Sequence, residues 1–80
     1  MVVSDVLSDV KRLVAETCAI DPATIRDDGR LVQYGVDSVR AMDLLVALEE
    51  HFGLDIPDTD AARLAGIKDV VAYVEKKRTK

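Results

Sequence analysis

The chain has 80 residues, with 11 Lys and Arg against 15 Asp and Glu and a formal net charge of −4. That length supports one domain, residues 1–80, with a shallow core, and the acidic balance excludes a nucleic-acid binder, whose phosphate contacts require a basic surface. The single cysteine, Cys18, cannot form an internal disulfide, and no Cys/His cluster has metal-ligand spacing, so neither a disulfide framework nor a metal site is expected.

The first residues, Met1 to Asp5, lack the basic region and long apolar run of a secretory signal, and no stretch approaches the ~20 apolar residues of a membrane span. A soluble, cytoplasmic protein is expected, with Cys18 serving as a small buried hydrophobe. A first helix is predicted from Ser4 or Asp5 to Cys18, because Val6, Leu7, Val10, Leu13, Val14, Thr17 and Cys18 recur at the spacing of one buried stripe. Its outer face carries Asp9, Lys11, Arg12 and Glu16 as a solvated surface of mixed sign.

Ala19 to Val36 is a long connection for a small bundle and should hold local structure. Asp21 before Pro22 can cap a single helical turn through Ile25, since proline fits the first helical position. Asp27, Asp28 and Gly29 then make a turn, and Leu31, Val32, Tyr34 and Val36 can pin the loop to the bundle. Gly35 is delivered to the bend that follows.

A second helix is predicted from Ser38 to Phe52, with Asp37 as its N-cap. It is apolar on most of its circumference, as a core-central helix can be. Met42, Leu45, Leu48, Glu49 and Phe52 fall near one line, with Leu44 beside it. The opposite line holds Val39 or Arg40, Asp43, Val46 or Ala47, and Glu50, a small, acidic, partly apolar face adjoining Ser38. Arg40 and Asp43 stand at a spacing that allows an ion pair. From Asp37 to Asp60 the acids are Asp37, Asp43, Glu49, Glu50, Asp55, Asp58 and Asp60, against Arg40 alone, so a partner with a basic patch would be steered to this flank.

Gly53 ends that helix as a left-handed cap, and Ile56, Pro57 and Asp58 make an extended turn. A short third helix should run from Thr59 or Asp60 to Leu64. After Gly66, the stripe Ile67, Val70, Val71, Tyr73, Val74 marks a last helix, whose Lys76, Lys77, Arg78 and Lys80 complement the negative end of its dipole. The fold class is all-α: a small four-helix bundle of three main helices plus a short third one, with a long loop between helices one and two. Tyr34, Phe52 and Tyr73 are the aromatics, so the core is aliphatic.

Two kinds of chemistry fail on geometry. Asp37, Ser38 and His51 are the residue types of a hydrolase triad, but within one helix Ser38 and His51 stand about 20 Å apart at ~1.5 Å per residue, far beyond the reach a base needs. His51 is read as a solvent-side residue. Asp55, Asp58 and Asp60 lack the alternating ligands, glycine and terminal glutamate of a calcium loop. An acidic helical interaction module without a prosthetic group remains an alternative on these residues alone.

Gly35, Asp37 and Ser38 feeding an aliphatic helix, with Phe52, Gly53, Leu54, Asp55, Ile56, Pro57 and Asp58 beyond it, make the chain resemble an acyl carrier protein over essentially its whole length. The resemblance implies that Ser38 carries covalently attached 4′-phosphopantetheine from coenzyme A, with Asp37 capping the helix beside it. It also implies a monomer that is a carrier and not an enzyme. Its partners would be a phosphopantetheinyl transferase and acyl-transferring or acyl-modifying enzymes with basic patches, docking on Val39, Arg40, Asp43, Val46 and Glu50. No nucleic-acid or membrane partner is implied. Fatty-acid carriers usually read Asp-Ser-Leu followed by an acid, whereas Val39 and Arg40 follow Ser38 here. Fatty-acid, polyketide and aminoacyl cargoes are therefore all open.

Overall fold

The computed structural model describes residues 5–78, in which the helices are α1 (Asp5–Cys18), α2 (Ser38–Phe52), α3 (Asp58–Ala61) and α4 (Ile67–Arg78). Ser4, the other candidate for the start of α1, and Lys80 lie outside the described residues. The four-helix, strand-free plan expected from the sequence is what the described residues adopt. Val6, Val10, Leu13 and Val14 of α1 are buried as the spacing requires, and Ala15 joins them. Cys18 is only half-buried. Beyond it the chain reverses at Ala19 in left-handed backbone (φ 58°), and the Ile20 amide donates to the Ala15 carbonyl at 3.0 Å, which closes the helix end.

The core is aliphatic. Val10, Val14, Leu48, Ile67, Val70 and Val74 lose essentially all solvent contact, and α1 packs against both α2 and α4. Side chains of this size each contribute ~1.5–3 kcal/mol on full burial. Leu44, Leu48, Ile56 and the loop residues Ile25, Leu31 and Val36 complete the cluster.

The long connection is built from short ordered pieces. Asp21 Oδ1 accepts from the Ala23 amide at 2.9 Å and starts a 3₁₀ turn, Pro22–Thr24, as Asp21 and Pro22 predicted. A second 3₁₀ turn, Leu31–Tyr34, was not expected. It buries Leu31 but leaves Val32 71% exposed, so Val32 does not anchor the loop. A tight turn puts Leu31 and Val32 on different sides, and only one of them can face the core. Tyr34 is an anchor of another kind, since its hydroxyl accepts from the Arg26 amide at 2.9 Å. A single antiparallel bridge, Arg30 to Gly66, ties this loop to the α3–α4 link: Leu31 donates to the Ala65 carbonyl and Ile67 to the Gly29 carbonyl, both at 2.9 Å.

The α3 segment begins and ends earlier than expected, spanning Asp58–Ala61 and continuing as a turn. Pro57 serves as its N-cap residue in extended backbone, so helical geometry starts at Asp58 instead of Thr59 or Asp60. Its contacts with neighbouring helices are few, and specific hydrogen bonds hold it. Glu49 Oε2 accepts from the Ile56 amide at 2.8 Å, and the Tyr73 hydroxyl donates to Asp60 Oδ2 at 2.7 Å. Glu49, placed by its spacing on the core line, is thus half-buried because it satisfies a turn amide. Asp69 accepts from the Ala65 and Gly66 amides at 3.1 Å each and so fixes the start of α4.

Partial burial, the hydrogen bond to Asp60 and the nearby carboxylates of Asp60, Asp55 and Glu49 push the Tyr73 phenol from 10.0 up to about 12. A folded-state value above the unfolded one means that this contribution is complete below the unfolded pKa of 10.0 and is lost as pH rises through about 12. Urea titrations of wild type and Tyr73→Phe should therefore differ in stability near neutral pH, and that difference should shrink between pH 10 and pH 12.

The packing of Tyr34 also sets a steric rule. A Cβ on Gly29 would collide with the Tyr34 hydroxyl and meet its ring at 2.7 Å. Gly29→Ala is expected to cost ~1–3 kcal/mol, measured as a lower midpoint of thermal unfolding. The same substitution in a Tyr34→Ala background should cost much less.

Candidate functional site

The start of α2 is assembled from four consecutive residues. Gly35 adopts left-handed backbone (φ 88°), a conformation that costs glycine nothing and side-chain-bearing residues ~1–2 kcal/mol. Val36 is buried, and its amide donates to the Leu31 carbonyl at 3.2 Å, which ties the bend to the loop beneath it. Asp37 is extended (φ −98°, ψ −169°). Its Oδ1 accepts from the Arg40 amide at 2.9 Å, while its carbonyl accepts from Ala41 at 2.8 Å and opens the helical ladder. Ser38 follows as the first helical residue and is exposed.

This geometry suits an anion on the Ser38 hydroxyl. The hydroxyl carbon lies at the positive end of α2, where a phosphodiester would be stabilised by the aligned backbone N–H groups. Because Ser38 is exposed, a substituent there displaces nothing from the core. The residues present therefore fit a phosphopantetheine group attached through phosphate.

α2 and α1 run antiparallel and are joined near both ends. Near the start of α2, Arg40 Nη1 donates to the Thr17 carbonyl of α1 at 2.7 Å. Near its end, His51 Nε2 meets Asp9 Oδ2 at 3.0 Å. His51 stays on the solvent side, as expected, and its ring also packs edge-on against Phe52 at 4.8 Å. It lies at the far end of the helix from Ser38 and does not form a hydrolase site with it. Arg40 reaches back to α1 and makes no ion pair with Asp43 among the described residues. Cys18 belongs to the same junction: burial pushes its thiol pKa up, the Arg40 guanidinium pulls it down and Asp37 pushes it up.

The outward face of α2 holds the other sequence candidates. Val39 is 71% exposed and Val46 51%, and Asp43 and Glu50 are exposed between and beyond them. Met42, placed on the core line by its spacing from Leu45 and Phe52, is 68% exposed and belongs here. Leu44 and Leu48 occupy the buried centre instead, which rotates Met42 outward. The recurrence of Val39, Met42 and Val46 at three and then four residues was the available signal for this stripe. Ala47 turns inward and packs against the core.

Among the described residues no group of His, Cys, Asp and Glu could hold a metal ion, and no helix is long and apolar enough to cross a membrane.

A family model described as phosphopantetheine attachment site matches residues 8–74. An acyl carrier protein of Campylobacter hominis is 39% identical over 72 residues, covering 89% of this chain and 91% of the relative. One from Campylobacter curvus is 40% identical over 72 residues, covering 89% and 94%. The crystal structure of an acyl carrier protein from Thermotoga maritima superimposes with a TM-score of 0.81 over 95% of this chain and 89% of that one. At 24% sequence identity it speaks for the fold alone.

The cap gives a direct test. Asp37→Ala should lower stability by ~1 kcal/mol, the usual cost of losing such a cap, in denaturant titrations. Amide exchange at Arg40, the donor to Asp37, should accelerate more than exchange at Leu48 in the middle of the helix.

Proposed function

This chain belongs to the acyl carrier proteins, the phosphopantetheine-attachment family, and from that premise we propose that Ser38 is its attachment residue. As a member it bears covalently attached 4′-phosphopantetheine and carries acyl intermediates of fatty-acid or polyketide synthesis. The sequence-level alternative of a helical module without a prosthetic group is set aside by that membership. The observation that carries the assignment is an exposed serine at the first position of a capped, core-central helix.

In loading, the Ser38 hydroxyl attacks the pantetheine-bearing phosphorus of coenzyme A. The new O–P bond replaces the phosphoanhydride bond, the adenosine bisphosphate half departs, and the hydroxyl proton passes to a base of the transferase. Asp37 serves as the cap that holds Ser38 in place, and the positive end of α2 favours the phosphodiester once formed. The attached group supplies a terminal thiol that holds the acyl chain as a thioester. Residues 1–80 act as one monomeric carrier domain of the cytoplasm that catalyses nothing itself.

Acyl-handling enzymes dock on the outward face of α2. Val39, Met42 and Val46 form its apolar centre, Asp43 and Glu50 supply the charge that steers basic patches toward it, and Arg40 sits at its edge.

The attachment test is intact mass after incubation with coenzyme A and a broad-specificity phosphopantetheinyl transferase. Wild type should gain one phosphopantetheinyl group, and Ser38→Ala, folding normally by circular dichroism, should gain none. A loaded Ser38→Ala protein would contradict the assignment. For docking, holo Met42→Ser should lose about tenfold in kcat/KM with an acyltransferase, as truncation of a central contact does. Its stability should move by no more than ~0.5 kcal/mol, the usual range for an exposed position.

A further inference from the structure

Resting on the assignment of Ser38, we infer that Arg40 is a positioning residue for loading, a clamp that locks the attachment turn to the end of α1. The side chain could have extended along the docking face toward Asp43. Instead it crosses to α1 and donates through Nη1 to the Thr17 carbonyl at 2.7 Å, a contact between residues far apart in sequence. That carbonyl belongs to the last turn of α1, where carbonyl groups lack helical partners and the dipole end is negative. A guanidinium satisfies both conditions at once.

The backbone of the same residue completes the device. The Arg40 amide is the donor that Asp37 Oδ1 holds at 2.9 Å, so the cap of α2 and the end of α1 meet on one residue, two positions beyond Ser38. Its side chain joins the first turn of α2 to α1, and the other α1–α2 pair, His51 with Asp9, lies at the opposite end. Buried Val36 fixes the chain before Ser38, and Arg40 fixes it after. The serine is thereby held between two anchors while remaining exposed.

An enzyme that phosphorylates or pantetheinylates a hydroxyl depends on alignment of oxygen and phosphorus, and small displacements of a reacting group cost rate steeply. Losing the clamp should therefore lower the turnover of the bound carrier more than its affinity. An arginine that touched the transferase directly would do the reverse: its removal would act on KM and would fade with added salt. The side chain is exposed, so its replacement leaves the core intact.

The test compares loading of wild type, Arg40→Met and Arg40→Lys by a phosphopantetheinyl transferase with coenzyme A, at low and high salt, with peptide mapping of the product. Arg40→Met should lose about tenfold in kcat with little change in KM for the carrier, at both salt concentrations. Arg40→Lys, which keeps a charged donor of similar reach, should recover most of the rate. Amide exchange in Arg40→Met should quicken at Val39, at position 40 and at Ala41 while Leu48 is unchanged. Unaltered loading of Arg40→Met, a change confined to KM or abolished by salt, failure of lysine to rescue, or unaltered exchange would each overturn the clamp. Wild type modified at a residue other than Ser38 would instead overturn the assignment on which it rests, and the two failures are read from separate data.

Discussion

The proposed attachment turn depends on a hydrogen bond between Asp37 Oδ1 and the Arg40 amide, because a serine that other enzymes are proposed to modify has to be exposed and fixed at once. An exposed helix start ordinarily frays, since its first amides have no helical partners. Here the cap takes up one of those amides, and the residues on either side are tied down: Val36 is buried beneath the bend, and Arg40 is bonded across to Thr17. Ser38 contributes nothing to the core. The burden of order is carried by its neighbours, which leaves the hydroxyl available for the attachment proposed.

That arrangement works only if α2 itself is immobile against α1. With so few aromatic rings, the interior is packed by Val, Leu and Ile, and Val10, Val14, Leu48, Ile67, Val70 and Val74 are its most completely buried side chains. Such a core is small, and single contacts weigh heavily in a domain of this size. Polar ties between elements supplement it: Arg40 and His51 join α2 to α1, Glu49 holds the turn at Ile56, Tyr73 holds Asp60, and the Arg30–Gly66 bridge fastens the long loop. The α3 segment relies on the polar ties most, being a single turn of helix.

The boundaries of α2 and the role of Asp37 were legible because capping and helical periodicity are local: an acid before the helix, a glycine after it and a continuous apolar run specify both ends. Gly53 adopts the left-handed conformation that such a cap requires. What escaped the sequence depends on contacts between distant residues. Met42 and Leu44 are both apolar, and which one faces inward is decided by how α2 rotates against α1 and α4, not by spacing alone. The partner of Arg40 could not be read locally, because Asp43 lies within reach on the same helix while Thr17 is brought close only by the fold. Val32 and Leu31 were likewise indistinguishable until the loop wound into a 3₁₀ turn.

The central claim is that the attachment turn exists in its working form before the prosthetic group arrives. Comparison of amide chemical shifts between the apo and holo proteins tests it most directly. Changes confined to Gly35 through Met42 are expected, with Val10, Val14, Leu48, Val70 and Val74 unmoved. Changes spread through the core of α1 and α4, or centred away from Ser38, would contradict it.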